Sequence, residues 1–118
     1  MATSKQRAAR QRGHQYERDV VNKLLERGWD AATSRYVSRR LDDEGVDIAS
    51  NDYPFQIQCK ATTIQPSMHT LLTETAATAI FYRRIIKQGE RFFKDGEYVV
   101  ISQEDFLNLV DKANKKKL

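Results

Sequence analysis

The fold of this chain is constrained most by residues 47–60, where two short β-favouring runs are separated by turn residues. Residues 55–61 alternate apolar and polar side chains, which is typical of a strand with one buried face. Residues 46–49 form a short apolar run, and residues 50–54 are turn formers. The stretch therefore predicts a β-hairpin.

This hairpin carries three side chains suited to metal and phosphate chemistry. Asp47 lies in the first run, and Gln58 and Lys60 share one face of the second. An acid, an amide oxygen and a lysine on one face are the groups needed to hold a hard divalent cation against a phosphate. The same triplet also occurs by chance in many soluble proteins, so a further element is needed to indicate a site.

That element is Glu17, which lies in a predicted amphipathic helix over residues 13–27. Apolar side chains recur there at helical spacing, and Gly28 follows as a left-handed C-terminal cap. Glu17 lies on or beside the apolar stripe, where a carboxylate is costly unless a metal or a lysine pairs with it. The alternative is that Glu17 complements the helix dipole at a solvated helix start.

Composition limits the class of protein. The 118 residues, 40% hydrophobic and 31% charged, suit one small domain. No apolar run is long enough to span a membrane and the first residues lack a secretory signal, so we expect a soluble, cytoplasmic protein. The single cysteine, Cys59, excludes an internal disulfide and is interpreted as a small buried hydrophobe.

Basic clusters predict a polyanionic partner, which we interpret as DNA rather than a membrane. The net charge is +4, and we predict a basic N-terminal arm (residues 1–12), a domain (residues 13–111) and a basic C-terminal tail (residues 112–118). A third cluster follows the first helix and mixes arginines with an aromatic and hydroxyls, which suits phosphate contacts. Each cluster has a plain solubilising surface as its alternative. The candidate DNA contacts in these clusters are Arg10, Arg12, Arg35, Ser38, Arg39 and Arg40.

The rest of the chain completes an α/β pattern. Residues 29–36 are predicted as a first strand and residues 38–45 as a mobile loop over the site. A helix that Ser67 or Thr70 could cap is predicted to run to Ala79. Two more strands, over residues 79–87 and 98–101, are predicted with turns at residues 88–90 and at Asp95-Gly96. A last helix over residues 103–110 is expected to pack on the sheet. The order α-β-β-β-α-β-β-α predicts a mixed central β-sheet flanked by helices.

Several motifs together resemble the Holliday junction resolvases of archaea and bacteriophages, which belong to the PD-(D/E)xK nuclease superfamily. The motifs are Gly13-x-x-x-Glu17-Arg18-Asp19, Arg27-Gly28-Trp29, Gly45-Val46-Asp47-Ile48 and Gln58-Cys59-Lys60. The similarity extends in order over most of residues 13–110. It implies a restriction-endonuclease-like core and a Mg²⁺-dependent endonuclease, with Mn²⁺ as a possible substitute, that acts on branched DNA without a small-molecule cofactor. Symmetric cutting of two strands favours a homodimer.

The resemblance also implies roles for single residues. Metal ligands would be Glu17, Asp47, Gln58 and the backbone carbonyl of Cys59. Lys60 would orient or activate the attacking water and stabilise charge on the phosphate. Contacts to the DNA backbone would come from Arg18, Arg35, Ser38 and Arg39.

The sequence departs from the family motif at two positions. Gly45-Val46 stands where a proline usually precedes the aspartate, and Gln58 stands where a glutamate is usual. Gln58 keeps an oxygen ligand but removes a negative charge, which predicts weaker metal affinity. Two alternatives therefore remain: a weak or inactive nuclease fold kept for DNA binding, and a nickase or restriction-like nuclease of duplex DNA.

Overall fold

The first helix, α1, packs across the sheet with the residues that its spacing predicts. The computed structural model describes residues 3–114, and α1 spans Ser4–Glu26. Tyr16, Val20 and Leu24 are its buried side chains. Gly28 follows the helix with a φ of +91°, the left-handed conformation expected of a C-terminal cap residue.

The helix begins well before residue 13, its predicted start. The Thr3 hydroxyl accepts a hydrogen bond of 3.1 Å from the Gln6 amide, and the Gln6 side chain accepts one of 2.8 Å from the Thr3 amide. Residues 4–12 are thus the first turns of α1, although we predicted them as an arm. They carry no acid and four basic residues, Lys5, Arg7, Arg10 and Arg12.

Five strands form one mixed sheet in the order β1-β2-β3-β4-β5. The strands are β1 (Ala32–Thr33), β2 (Ile48–Ala49), β3 (Ile57–Thr62), β4 (Ala79–Gln88) and β5 (Arg91–Ile101). β3 and β4 are parallel and are joined through the helix α4 (Met68–Glu74), while the other neighbours are antiparallel. The predicted α/β class with a mixed sheet is confirmed, and so is the hairpin that pairs β2 with β3.

The segment between α1 and β2 differs from the prediction. Of the predicted strand over residues 29–36, only residues 32–33 pair with the sheet, and a short helix, α2 (Ser34–Val37), follows. The predicted loop over residues 38–45 contains another helix, α3 (Arg39–Asp43). The Ser38 hydroxyl caps α3 by accepting a hydrogen bond from the Leu41 amide, so local capping outweighs the charged composition of this segment.

The β4–β5 hairpin confirms one predicted turn and corrects another. The chain reverses at residues 89–90, where a turn was predicted, and Gly89 has a φ of +63°. The turn predicted at Asp95-Gly96 is wrong, because β5 continues through both residues. Gly96, with a φ of +111°, lies instead at a β-bulge, where the register with β4 shifts between Arg83 and Ile85.

β3 lies at the centre of the sheet and is buried on both faces. Ile57 and Cys59 belong to the hydrophobic cluster under α1. Gln58 points to the opposite face, yet it is only 8% exposed. The prediction of a strand with one buried face is therefore wrong at Gln58, because its predicted polar face is covered as well.

The last helix, α5 (Gln103–Asn114), begins where it was predicted but does not pack as predicted. None of its residues is buried. Its large apolar side chains, Phe106, Leu107, Leu109 and Val110, are all exposed. Of the predicted C-terminal tail, residues 112–114 are the last residues of α5, and Lys115, Lys116 and Lys117 lie outside the described residues.

Candidate active site

Asp47 is fixed to β3 through both its backbone and its side chain. Its amide donates a hydrogen bond of 2.8 Å to the Ile57 carbonyl, and its Oδ2 accepts one of 2.8 Å from the Cys59 amide. Burial raises the pKa of the Asp47 carboxyl to about 6, although the Cys59 amide and Lys60 both lower it. No ion pair satisfies this carboxylate within residues 3–114, so Asp47 is suited to bind a cation.

Glu17 lies in the middle of α1 and forms an ion pair with Arg35, the second residue of α2. The two side chains are only 13% and 17% exposed. The alternative of a solvated carboxylate at a helix start is therefore wrong, and the required partner is an arginine rather than a lysine. Burial raises the pKa of Glu17, although Arg35 opposes that shift. In this structure, Arg35 binds the Glu17 carboxylate, which was predicted as a metal ligand.

Gln58 is the buried polar residue at the predicted site. Its Oε1 has no hydrogen-bond partner among the described residues. Its Nε2 lies beside Gly45, where an added Cβ would approach that nitrogen to 3.2 Å and the Thr75 Cβ to 2.8 Å. Gly45 also has a φ of +82°. Both this backbone conformation and the lack of space for a Cβ require a glycine at this position. Gln58 thus offers an unused oxygen from a tightly enclosed position.

Lys60 lies two residues after Gln58 on β3 and is half-buried. Its ammonium forms no hydrogen bond or ion pair within the described part of the chain. Its positive charge lowers the pKa of Asp47, which places the two groups within electrostatic reach of each other. The predicted pairing of Asp47 with the Gln58–Lys60 strand is thus present in the structure.

A divalent cation fits this donor set only in part. Among residues 3–114, no three His, Cys, Asp or Glu side chains are grouped closely enough to hold a metal ion. The carboxylate of Asp47 has no ion-pair partner and the Oε1 of Gln58 has no hydrogen-bond partner among residues 3–114, so two oxygens of the predicted set are unused. Mg²⁺ in nucleotide chemistry is commonly held by one or two carboxylates together with waters and phosphate oxygens. Asp47 supplies one such carboxylate, and the predicted roles of Asp47, Gln58, the Cys59 carbonyl and Glu17 as metal ligands stay predictions.

The predicted DNA contacts are spread over two surfaces. Arg10 and Arg18 lie exposed on α1. Arg12 stacks over the Phe92 ring at 4.1 Å and so connects α1 to the tip of the β4–β5 hairpin. Its Nε is buried without a hydrogen-bond partner in the described chain. The structure therefore assigns Arg12 a packing contact in addition to its predicted role.

The second surface is formed by α2 and α3. Arg39 and Arg40 are exposed and make helical ion pairs, of 3.8 Å with Asp43 and 2.9 Å with Glu44. Ser38 uses its hydroxyl to cap α3. Arg35 is the member of this group that reaches Glu17, and its Nη2 is buried with no partner among residues 3–114. Arg35 is thus a predicted DNA contact that pairs directly with a residue of the candidate active site.

Sequence reasoning weighed one further residue near the site and missed another. His14 lies one helical turn before Glu17, and burial and the positive charge of Arg35 lower its pKa. From the sequence, a surface histidine is the favoured interpretation and a substrate contact, indicated by the spacing from Glu17, is the alternative; the side chain is half-buried in the structure. Ser34 is fully buried and donates its hydroxyl proton to the Val46 carbonyl, which ties α2 to the strand that follows Asp47. No sequence signal identified that contact.

No family model, curated protein or solved structure shows significant similarity to this chain. Within the described residues, every helix is too short or too polar to cross a membrane. The geometry around Asp47 is accordingly the main observation that bears on function.

Proposed function

We propose that this protein is a metal-dependent endonuclease that hydrolyses phosphodiesters of branched DNA. We also propose that its sheet and helices form a restriction-endonuclease-like core. The observation that carries the proposal is Asp47, a partly buried carboxylate that is held against β3, has no ion-pair partner among residues 3–114 and lies within electrostatic reach of Lys60. Structural carboxylates are normally paired or solvated, whereas active sites hold them partly buried with a raised pKa. The motif resemblance to junction resolvases supports the same assignment.

In this proposal, Asp47 and Gln58 hold the ion through one carboxylate and one amide oxygen. A bound Mg²⁺ would supply Lewis-acid polarisation of the phosphate and would lower the pKa of a water. Lys60 orients the attacking water and stabilises the negative charge that develops on the phosphate oxygens. Arg35, which pairs with Glu17 and keeps 17% of its side chain exposed, would contact a phosphate oxygen next to the reacting one through that exposed part.

DNA binding is proposed to depend on backbone contacts rather than on base sequence. The exposed first turns of α1 present Lys5, Arg7 and Arg10, which suit phosphates. No described helix is presented as a recognition helix at this surface, so discrimination would come from the shape of the branched DNA. Paired cuts in a four-way junction require two active sites and hence two copies of the chain.

A non-enzymatic alternative is favoured by one specific observation. Gln58 replaces an acid, and Glu17 is already bound by Arg35, which leaves Asp47 as the only unpaired carboxylate of the predicted set. A nuclease fold kept only for DNA binding would have this appearance. A nickase or restriction-like nuclease on duplex DNA would use the same residues as the junction nuclease and differs only in substrate.

The deciding experiment compares cleavage of an end-labelled four-way junction with cleavage of the matching linear duplex, each with and without Mg²⁺. The variants are Asp47→Asn and, as a matched control, Asp43→Asn, which changes an exposed carboxylate on α3. We expect paired nicks near the crossover from the wild type and the control only when Mg²⁺ is present. Equal cleavage of the linear duplex would assign the duplex nuclease, and tight junction binding without product would assign the binding module.

A further inference from the structure

The C-terminal helix is incompletely packed in the single chain. α5 has 12 residues, none of them buried. Isolated helices of this length are only marginally stable in water, and helices in proteins are normally held by packing of an apolar face. Phe106, Leu109 and Val110 recur at helical spacing and form such a face, with Phe106 53% exposed. This face therefore lacks a partner within the described chain.

An open apolar groove of about 450 Å³ lies next to the same helix, between α1 and β5. Leu109 forms part of its wall, so α5 borders the groove without filling it. Trp29 and Tyr53 pack edge to face at the other end, with ring centroids 5.0 Å apart. Tyr98 and Val99 of β5 also line the groove, and more than half of each residue is exposed.

We propose that this groove receives α5 of a second copy of the chain, in a two-fold symmetric dimer. Each chain has both the helix and the groove on one continuous surface. In a two-fold symmetric dimer, α5 of each chain therefore fills the groove of the other, and neither groove stays exposed. The proposal identifies the surface that joins two copies, and it does not depend on nuclease activity.

The amount of apolar surface agrees with a second copy as the occupant. Five large apolar side chains lie on or beside this surface, each about half exposed: Tyr98, Val99, Phe106, Leu109 and Val110. At roughly 80–90 Å² each, they expose about 400–450 Å². A standard interface buries about 800 Å² per partner, of which about three-fifths is apolar, or roughly 480 Å². The exposed surface is therefore close to what a stable dimer of this chain needs.

The charges at the groove favour the acidic start of α5 as the incoming segment. Asp19 and Glu97 line the groove, but Arg83 binds both of them at 2.9 Å. Lys23, which also pairs with Glu97 at 3.6 Å, and Arg27 line the same groove and are exposed. The first turn of α5 carries Glu104 and Asp105, which would meet this basic rim.

The test is the oligomeric state in solution, measured by sedimentation velocity over the micromolar range without DNA or metal. On the helix side, Leu109→Asp is compared with Asn108→Asp, which adds the same charge next to it on the opposite face of α5. On the groove side, Val99→Asp is compared with Val37→Asp, an exposed valine on α2 that does not line the groove. Circular dichroism confirms that each variant remains folded.

We expect a wild-type dimer that both control variants retain. Leu109→Asp and Val99→Asp should each raise the dimer dissociation constant by roughly tenfold or more, because each places a charge in a buried apolar contact. A monomeric wild type at every concentration would overturn the proposal. A dimer unaffected by Leu109→Asp, or affected by Leu109→Asp but not by Val99→Asp, would overturn the assignment of α5 to the groove. None of these outcomes depends on cleavage, so the dimer and the proposed nuclease activity can fail separately.

Discussion

The carboxylate of Asp47 accepts a hydrogen bond of 2.8 Å from the backbone amide of Cys59, one residue before Lys60. The side chain of one strand of the hairpin is therefore fixed to the backbone of the other. This contact orients Asp47 before any metal or DNA binds, which is the preorganisation that a metal-dependent site requires. Cys59 therefore has two structural contacts: its amide positions Asp47, and its thiol packs under α1.

Asp47→Asn is expected to stabilise the protein at pH 8 and to leave its stability unchanged at pH 4. The folded pKa of Asp47 is about 6, above the ordinary value of 3.8, so ionisation opposes folding as the pH rises through 6. A shift of about two units corresponds to roughly 3 kcal/mol in the free energy of unfolding at pH 8. Urea denaturation of both proteins at the two pH values measures this difference. A gain of equal size at pH 4 and pH 8 would contradict the assigned cause.

Lys60→Met is expected to reduce single-turnover cleavage of a junction by about 10²–10³-fold, because a positive charge at the developing oxyanion is lost. Junction binding, measured by fluorescence anisotropy with Ca²⁺ in place of Mg²⁺, should change by less than about threefold because the other cations of the surface remain. Lys87→Met, on the exposed end of β4, serves as the control for removal of a lysine. Equal loss of cleavage in both variants would show that Lys60 has no special role.

Gln58→Glu is expected to lower the Mg²⁺ concentration that gives half-maximal cleavage, because a second carboxylate strengthens binding of a hard cation. Without metal, the same change should lower the melting temperature, since Gln58 is enclosed and a new buried charge would be unpaired. Added Mg²⁺ should raise the melting temperature of Gln58→Glu back part of the way towards that of the wild type. Gln56→Glu, an exposed position on the same stretch, is the control. A half-maximal Mg²⁺ concentration that is unchanged or higher in Gln58→Glu would refute the assignment of Gln58 as a ligand.

Arg35→Met is expected to destabilise the protein by about 2 kcal/mol at pH 8, because the Glu17 carboxylate is left buried without its partner. The loss should be smaller at pH 4. Burial raises the pKa of Glu17 and the loss of Arg35 would raise it further, so protonation removes the unpaired buried charge as the pH falls. Combining Arg35→Met with Glu17→Gln should recover most of the loss. If the double variant is as unstable as the sum of the single variants, the two residues are not coupled.

Gly45→Ala is expected to destabilise the protein more than Gly28→Ala does. Both glycines have a positive φ, so both substitutions strain the backbone by about 1–2 kcal/mol. An added Cβ at Gly28 meets no atom within 4 Å, whereas one at Gly45 would approach the Thr75 Cβ to 2.8 Å. The difference between the two free energies of unfolding, measured by urea denaturation, isolates this steric contact. Equal losses would mean that Thr75 and Gln58 move aside without cost.

The parts of the fold that depend on regular spacing could be predicted from the sequence. The spacing of Tyr16, Val20 and Leu24 predicted that α1 is a helix with these residues on its buried face. The residues around Asp47 predicted the hairpin and hence that Asp47 lies close to β3. Residues 4–12 could not be identified as helix by periodicity, because they carry almost no large apolar side chains. The capping box at Thr3 and Gln6 was a signal that could have revealed them.

The site itself was only partly predictable. The pairing of Glu17 with Arg35 joins residues 18 positions apart, and no local pattern specifies which arginine reaches a given carboxylate. The burial of Gln58 was also hidden, because alternation within one strand does not show whether the polar face is covered by other elements. At Asp95-Gly96, a strong turn dipeptide is used as a bulge inside a long strand, so tertiary pairing outweighed turn propensity.

Because α1 is one continuous helix, it fixes the distance between Arg10 and Glu17 in the proposed enzyme. Arg10 and Glu17 are seven residues apart on one helix, which is nearly two full turns, so both lie on the same side about 10 Å apart along the axis. A phosphate bound at Arg10 would thus be held at a set separation from the candidate active site. One residue inserted between them would rotate Arg10 by about 100°. The helix would therefore act as a molecular ruler, and the position of the cut relative to the bound strand would be a property of its geometry.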